Sequence, residues 1–193
     1  MRGGSTGRDA PDPFTVDAPE IAATRRWLER AVIGLNLCPF AKAVHVKKQV
    51  RFVLSEARDT DALRDAIEQE LRLLADTPSD EIDTTLIVHP HVLQDFIAYN
   101  DFLDVADMTV RTLGLEGEIQ VASFHPDYVF AGEPADDPSN CTNRAPYPTL
   151  HLLREASIDR AVAAYPDPDV IVERNVATLR RLGVDGFRRL LDD

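Results

Sequence analysis

Three histidines stand in two short polar segments, each following an apolar run: His89 and His91 in His-Pro-His, and His125 in His-Pro-Asp. Alternate residues of an extended chain point the same way, so His89 and His91 can present both imidazoles to one ion across Pro90. With His125 they supply three neutral nitrogen ligands, a sufficient protein shell for zinc or a non-haem iron that leaves positions open for water and substrate. Asp127 suits a fourth ligand, an acceptor that orients an imidazole, or a general base. The chemistry of such a centre would be hydrolysis by a metal-bound water of lowered pKa, or activation of dioxygen by iron. The competing reading is that these histidines end strands and bond to loop carbonyls.

Cys38 lies in Asn36-Leu37-Cys38-Pro39-Phe40, directly after an expected helix. The negative end of the helix dipole disfavours thiolate there, so activation would have to come from a histidine or a metal. Paired with His89, His91 or His125, Cys38 would be the nucleophile of a thiol hydrolase or transferase. Cys-Pro also resembles the short motif through which sulfur ligates haem, which makes a haem- or metabolite-binding protein without catalysis the third reading. An inert buried thiol is the plain alternative. Asn143, Arg144 and Tyr147 offer donors for a small, possibly anionic substrate, and Arg144 can hold a carboxylate or phosphate with two parallel bonds. A solvated loop tied down by its Asn side chains is the rival there. His151 is expected on a short helix, near Arg154, as a structural contact, and His45 is expected to be exposed. A Gly-rich phosphate loop, G-x-S-x-G, H-E-x-x-H and paired C-x-x-C are all absent from the sequence, so nucleotide-dependent, serine-hydrolase and zinc-finger readings lack support.

The elements that must position these residues follow from periodicity. Helical spacing of Ile21, Leu28, Ala31, Val32 and Leu35, behind Asp17 and Glu20 at capping-box distance, predicts a first helix that ends near 34–36. Alternation predicts a strand over 50–55. Leu63, Ile67, Leu71 and Leu74 follow the start signal Asp59-Thr60, and predict a second helix over 60–76. Thr-Thr-Leu-Ile-Val at 84–88 reads as a central strand covered on both faces. A long helix from about Leu93 to Gly114 and a strand in Glu-Ile-Gln-Val-Ala-Ser-Phe complete a βαβαβ core. Residues 131–148, with four prolines, read as a long loop of the kind that forms lids or binding segments. Terminal helices are expected around LHLLREA, IDRAVAA and VIVERNVATLRRLG, the last two separated by PDPD.

The expected architecture is therefore a single α/β domain over 17–193, in two or three layers, with strands one to three parallel; a ferredoxin-like α+β sheet of mixed direction is the alternative. Residues 1–16 read as a disordered tail. In open α/β sheets ligands gather beyond the carboxyl ends of strands, where His89, His91 and His125 fall.

Composition narrows the classes of function. The chain has 193 residues, 44% hydrophobic and 28% charged, which suits one globular domain. A formal charge of -12 repels phosphate backbones and anionic lipid, so neither nucleic acid nor membrane is an expected partner. Two cysteines and a start without an apolar leader segment fit a reducing cytoplasm.

The strings WLERAVIGLNLCPFAKAVHVK, TLIVHPHVLQDF followed by YNDFL, GEIQVASFHPDY and TNRAPYPTLHLLREASI resemble the bacterial family called domain of unknown function 1415. The resemblance runs over about residues 24–183, with four motifs in order. It implies a cytoplasmic bacterial protein of one domain whose marked segments are CPFA, HPH, FHPD and TNRAPYP, and it carries no activity with it.

Overall fold

The computed structural model describes residues 18–163 and 169–192. The tail expected over 1–16, Asp17 and most of the PDPD separator lie outside the described residues; the position before α1 that was expected to be capped from Asp17 is Ala18, which makes no side-chain cap.

Helix α1 (Pro19–Trp27) starts with proline in its first turn and passes directly into a π-helical turn, Leu28–Ile33. Gly34 closes that turn: a Cβ there would collide with the carbonyl oxygen of Arg30. A short helix α2 (Ala41–Val46) precedes β1 (Val50–Leu54). Helix α3 (Thr60–Asp76) is capped by the Asp59 carboxylate, which accepts from the Ala62 amide at 2.8 Å. Strand β2 (Thr84–Val88) is buried along its whole length, as its β-branched composition requires. Helix α4 (Phe96–Thr112) is capped by Asp95 in the same way, and β3 (Ile119–Phe124) follows. A 3-10 turn (Pro138–Thr142) interrupts the long loop; then come β4 (Thr149–Arg154), α5 (Glu155–Ala163) and α6 (Asp169–Leu191), which kinks at Gly183.

The sheet order is β1-β2-β4-β3. Strands β1 and β2 pair in parallel, with Val50 beside Thr84, and β4 lies antiparallel between β2 and β3. β1, β2 and β3 thus run the same way, as the βαβαβ reading requires, while the mixed sheet comes from a fourth strand that had not been expected. The parallel β1–β2 pair also departs from the ferredoxin-like alternative.

Side chains alternate across the sheet and define two cores. Ile87, Ile119, Leu150 and Leu152 pack under α3 and α4 with Leu63, Ile67, Tyr99 and Phe102. Phe52, Leu86 and Val88 face the other way, against Ile21, Trp27, Leu28, Leu179 and Phe187 of the terminal helices. The domain is a three-layer α/β arrangement.

The segment expected as a helix from Leu150 is corrected by β4. Leucines favour a helix when taken singly, but here Leu150 and Leu152 fill one core while His151 and Leu153 face the other side, a period of two that burial on both faces conceals. His151 and Arg154 accordingly point to opposite faces. Arg154 donates to the carbonyls of Leu74, Thr77 and Ile82 at the end of α3, on the side away from His151.

Candidate functional site

At the carboxyl ends of β2 and β3, His89 and His125 come together around Tyr99 of α4. The His89 ring stacks on Tyr99 at 5.7 Å between centroids, and His125 lies 5.0 Å from the same ring. Each histidine is tied into the turn before α4. His89 Nδ1–H donates to the Val92 carbonyl at 3.1 Å. His125 Nδ1 accepts from the Asp127 amide at 3.0 Å, which fixes its Nε2–H as the donor to the Leu93 carbonyl at 3.2 Å. Leu93 has a φ of 58°, a conformation that leucine adopts only when its surroundings compel it. Burial pushes the pKa of both imidazoles down, that of His89 to about 4, so both are neutral.

His91 does not join them. It is exposed, with Nε2 3.5 Å from Glu56, because the turn at 90–92 carries it away from His89 instead of continuing the extended chain. Asp127 meets His125 through its backbone amide, and its side chain is exposed. Among the described residues no group of three His, Cys, Asp or Glu side chains is arranged to hold a metal ion. His89 Nε2 is the one imidazole nitrogen of the pair with a free lone pair; it is buried and has no hydrogen-bond partner.

The loop residues singled out as substrate anchors brace the loop itself. Arg144 donates to the carbonyls of Tyr128 and Ala135, and Asn143 donates to Ser123 at 3.2 Å. Asn140 spans the loop between Phe130 and Pro134, and Tyr147 packs on the helix-one core. Cys38 and Cys141 are both free thiols; Cys141 is buried, which raises its pKa.

Cys38 opens instead onto a cavity of about 760 Å³ on the opposite side of the sheet from α3 and α4. Its apolar walls include Trp27, Val44, Leu86, Phe124, Leu153 and Ile158. Trp27 and Phe124 meet edge to face at 5.0 Å, and Phe124 lies 5.9 Å from the His151 ring. The exposed residues Lys47, Asp80 and Arg160 stand where it meets solvent. Asp83 accepts from the Ser157 hydroxyl at 2.6 Å, and Ser157 in turn accepts from Arg160 at 2.9 Å.

His151 and the buried Thr84 are polar groups of the sheet on that wall. Its Nε2 lies 2.6 Å from the Thr84 hydroxyl, and the same hydroxyl lies 2.6 Å from the Leu152 carbonyl. A hydroxyl has one proton, and a carbonyl can only accept. Thr84 therefore donates to Leu152, and His151 Nε2–H donates to Thr84, leaving Nδ1 with a lone pair. Among the described residues Nδ1 has no hydrogen-bond partner, it is not among the buried unpartnered nitrogens, and the His151 ring lines the cavity. Burial lowers the His151 pKa to about 4, which keeps this arrangement at neutral pH.

The family model described as Protein of unknown function (DUF1415) matches residues 20–189. The chain belongs to that family. No curated protein and no solved structure matches it. The matched span contains Trp27, Cys38, Thr84 and His151 together with the His89–Tyr99–His125 cluster, so both centres lie within the family's domain. No helix among the described residues is long and apolar enough to cross a membrane.

Reasoning from sequence placed Cys38 among the candidates but passed over Trp27, Thr84 and His151. The signal available for His151 is the alternation Leu150, Leu152 against His151, Leu153, which sets a polar ring among three leucines.

Proposed function

We propose that this protein binds a small, largely apolar organic molecule in the cavity between the sheet and helices α2 and α5. The observation that carries the reading is the cavity itself: about 760 Å³, within the range of small-molecule sites, with aromatic and aliphatic walls and few polar groups converging on it. The π-helical turn adds support. It sets Leu28 and Val32 beside Trp27 on the cavity wall, and such turns recur at functional sites.

Trp27 is the single tryptophan of the chain and lines this cavity, so its emission is a direct reporter. Titration with butylbenzene is expected to change Trp27 emission saturably, and Ala122→Phe, which fills the cavity from β3, is expected to abolish the change in a folded protein. An unchanged spectrum at saturating butylbenzene and also at saturating 4-butylphenol in the wild type would refute the reading.

Thiol chemistry is the second reading, favoured by one fact: Cys38 and His151 line the same cavity. His151, with a pKa near 4, is a weak base for such a step. Rapid alkylation of Cys38 by iodoacetamide, slowed by bound hydrocarbon, would support it. A zinc or iron centre built from His89, His91 and His125 has less in its favour, since His125 has both ring nitrogens engaged and His91 turns toward Glu56. Two free thiols, one of them in an open cavity, favour a reducing cytoplasm as the compartment.

A further inference from the structure

We propose that the cavity selects a ligand that carries an uncharged hydrogen-bond donor, a hydroxyl or an N–H, on an apolar body of aryl size, with His151 Nδ1 as the acceptor. The inference rests on the cavity reading above and goes further by naming the chemical class. Three observations carry it. The chain Nε2–H to Thr84 to the Leu152 carbonyl uses up the only hydroxyl proton and fixes the tautomer, so the nitrogen left over can only accept. Among the described residues that nitrogen has no hydrogen-bond partner, and its ring lines the cavity. Phe124, 5.9 Å from the His151 ring and met edge to face by Trp27, puts an aromatic surface beside it against which an aryl ring can lie.

The same geometry selects against anions at this point. A carboxylate would oppose its lone pairs to that of a neutral imidazole, and the cations of the cavity, Lys47 and Arg160, are at the solvent side among Asp80 and Asp83. A site that hydrogen-bonds a donor discriminates against the analogue lacking it because its own acceptor is then left dry.

Three probes of the same size decide the question: butylbenzene, 4-butylphenol and 4-butylbenzoate, titrated into the full chain by calorimetry and Trp27 emission. The phenol is expected to bind about three- to ten-fold more tightly than the hydrocarbon, the range that one neutral hydrogen bond supplies, and the benzoate more weakly than either. His151→Phe is expected to keep hydrocarbon binding and lose the preference for phenol. If that variant does not fold, nitrogen-15 spectra of the wild-type imidazole give the answer alone: Nδ1 is expected to be the unprotonated nitrogen and to shift on adding phenol but not hydrocarbon. Equal affinity for phenol and hydrocarbon, or a proton found on Nδ1, overturns the donor selectivity and leaves the cavity reading standing. Failure of all three probes to bind overturns both.

Discussion

The phenol oxygen of Tyr99 sits between the final pair of the β3–β4 ladder: it donates to the Thr149 carbonyl at 2.8 Å and accepts from the Phe124 amide at 3.1 Å. Thr149 and Phe124 are opposite one another in the register, so a side chain from α4 fastens the two strands at the end where His125 begins. Burial raises the Tyr99 pKa, and the hydroxyl stays protonated and able to donate throughout the usual range.

Tyr99→Phe should therefore leave one buried and one partly buried backbone group without this partner. A loss of about 1–3 kcal/mol is expected, read by urea denaturation, with hydrocarbon binding in the cavity unchanged. A variant as stable as the wild type would show that water replaces the hydroxyl.

Acid should unfold the domain through its histidines. Burial holds His89 and His151 near pKa 4 and lowers that of His125, while in the unfolded chain each titrates near 6.5. Between those values the unfolded state binds more protons than the folded one, so stability is complete above about pH 6.5 and falls as the pH drops toward 4. Unfolding free energies measured at pH 7, 6, 5 and 4.5 are expected to fall with a slope that His89→Phe reduces by close to one proton. No difference in slope would mean that His89 keeps an ordinary pKa.

Arg154 closes off the end of α3 by donating to the carbonyls of Leu74, Thr77 and Ile82. Arg154→Met keeps the stem and removes the donors. Hydrogen bonds from a charged group are worth about 1.5–3 kcal/mol each at most, and the partly buried carbonyls can recover some of this from water, so a loss of about 2–4 kcal/mol is expected. Thermal unfolding of the pair checks it.

Elemental analysis of the purified protein weighs the cavity against the histidine centre. One equivalent of zinc or iron that is lost in His91→Ala would mean that His91 leaves Glu56 to meet His89, and would make the strand ends the principal site. Metal content that is the same in the variant and the wild type leaves the cavity as the site to pursue.

Much of the domain could be read from local pattern. The helix behind Asp59 begins and ends where its cap and its run of leucines place it, and Thr84–Val88 is a buried strand next to two others because β-branched, uncharged residues suit that position. The strand at Thr149–Arg154 is hard to read because Leu153 on its cavity face follows Leu152 on its core face, so that three leucines in four residues mask the alternation that His151 marks. His91 turns away from His89 for a local reason that alternation does not show. Two-residue alternation holds only while the chain stays extended, and the turn into α4 starts at the intervening proline.

The sequence by itself determined the α/β class, the positions of the first three strands and their two long helices, and the pairing of polar His-Pro segments with strand ends, because each depends on contacts within one turn or one alternation. Only the tertiary structure decided that His89 and His125 share Tyr99 while His91 does not, and that Trp27, Cys38, Thr84 and His151 face one cavity. The first grouping spans 36 positions and the second, from Trp27 to His151, 124, and both depend on how the strands and helices pack, with β4 inserted between β2 and β3, a choice that no local stretch of chain encodes.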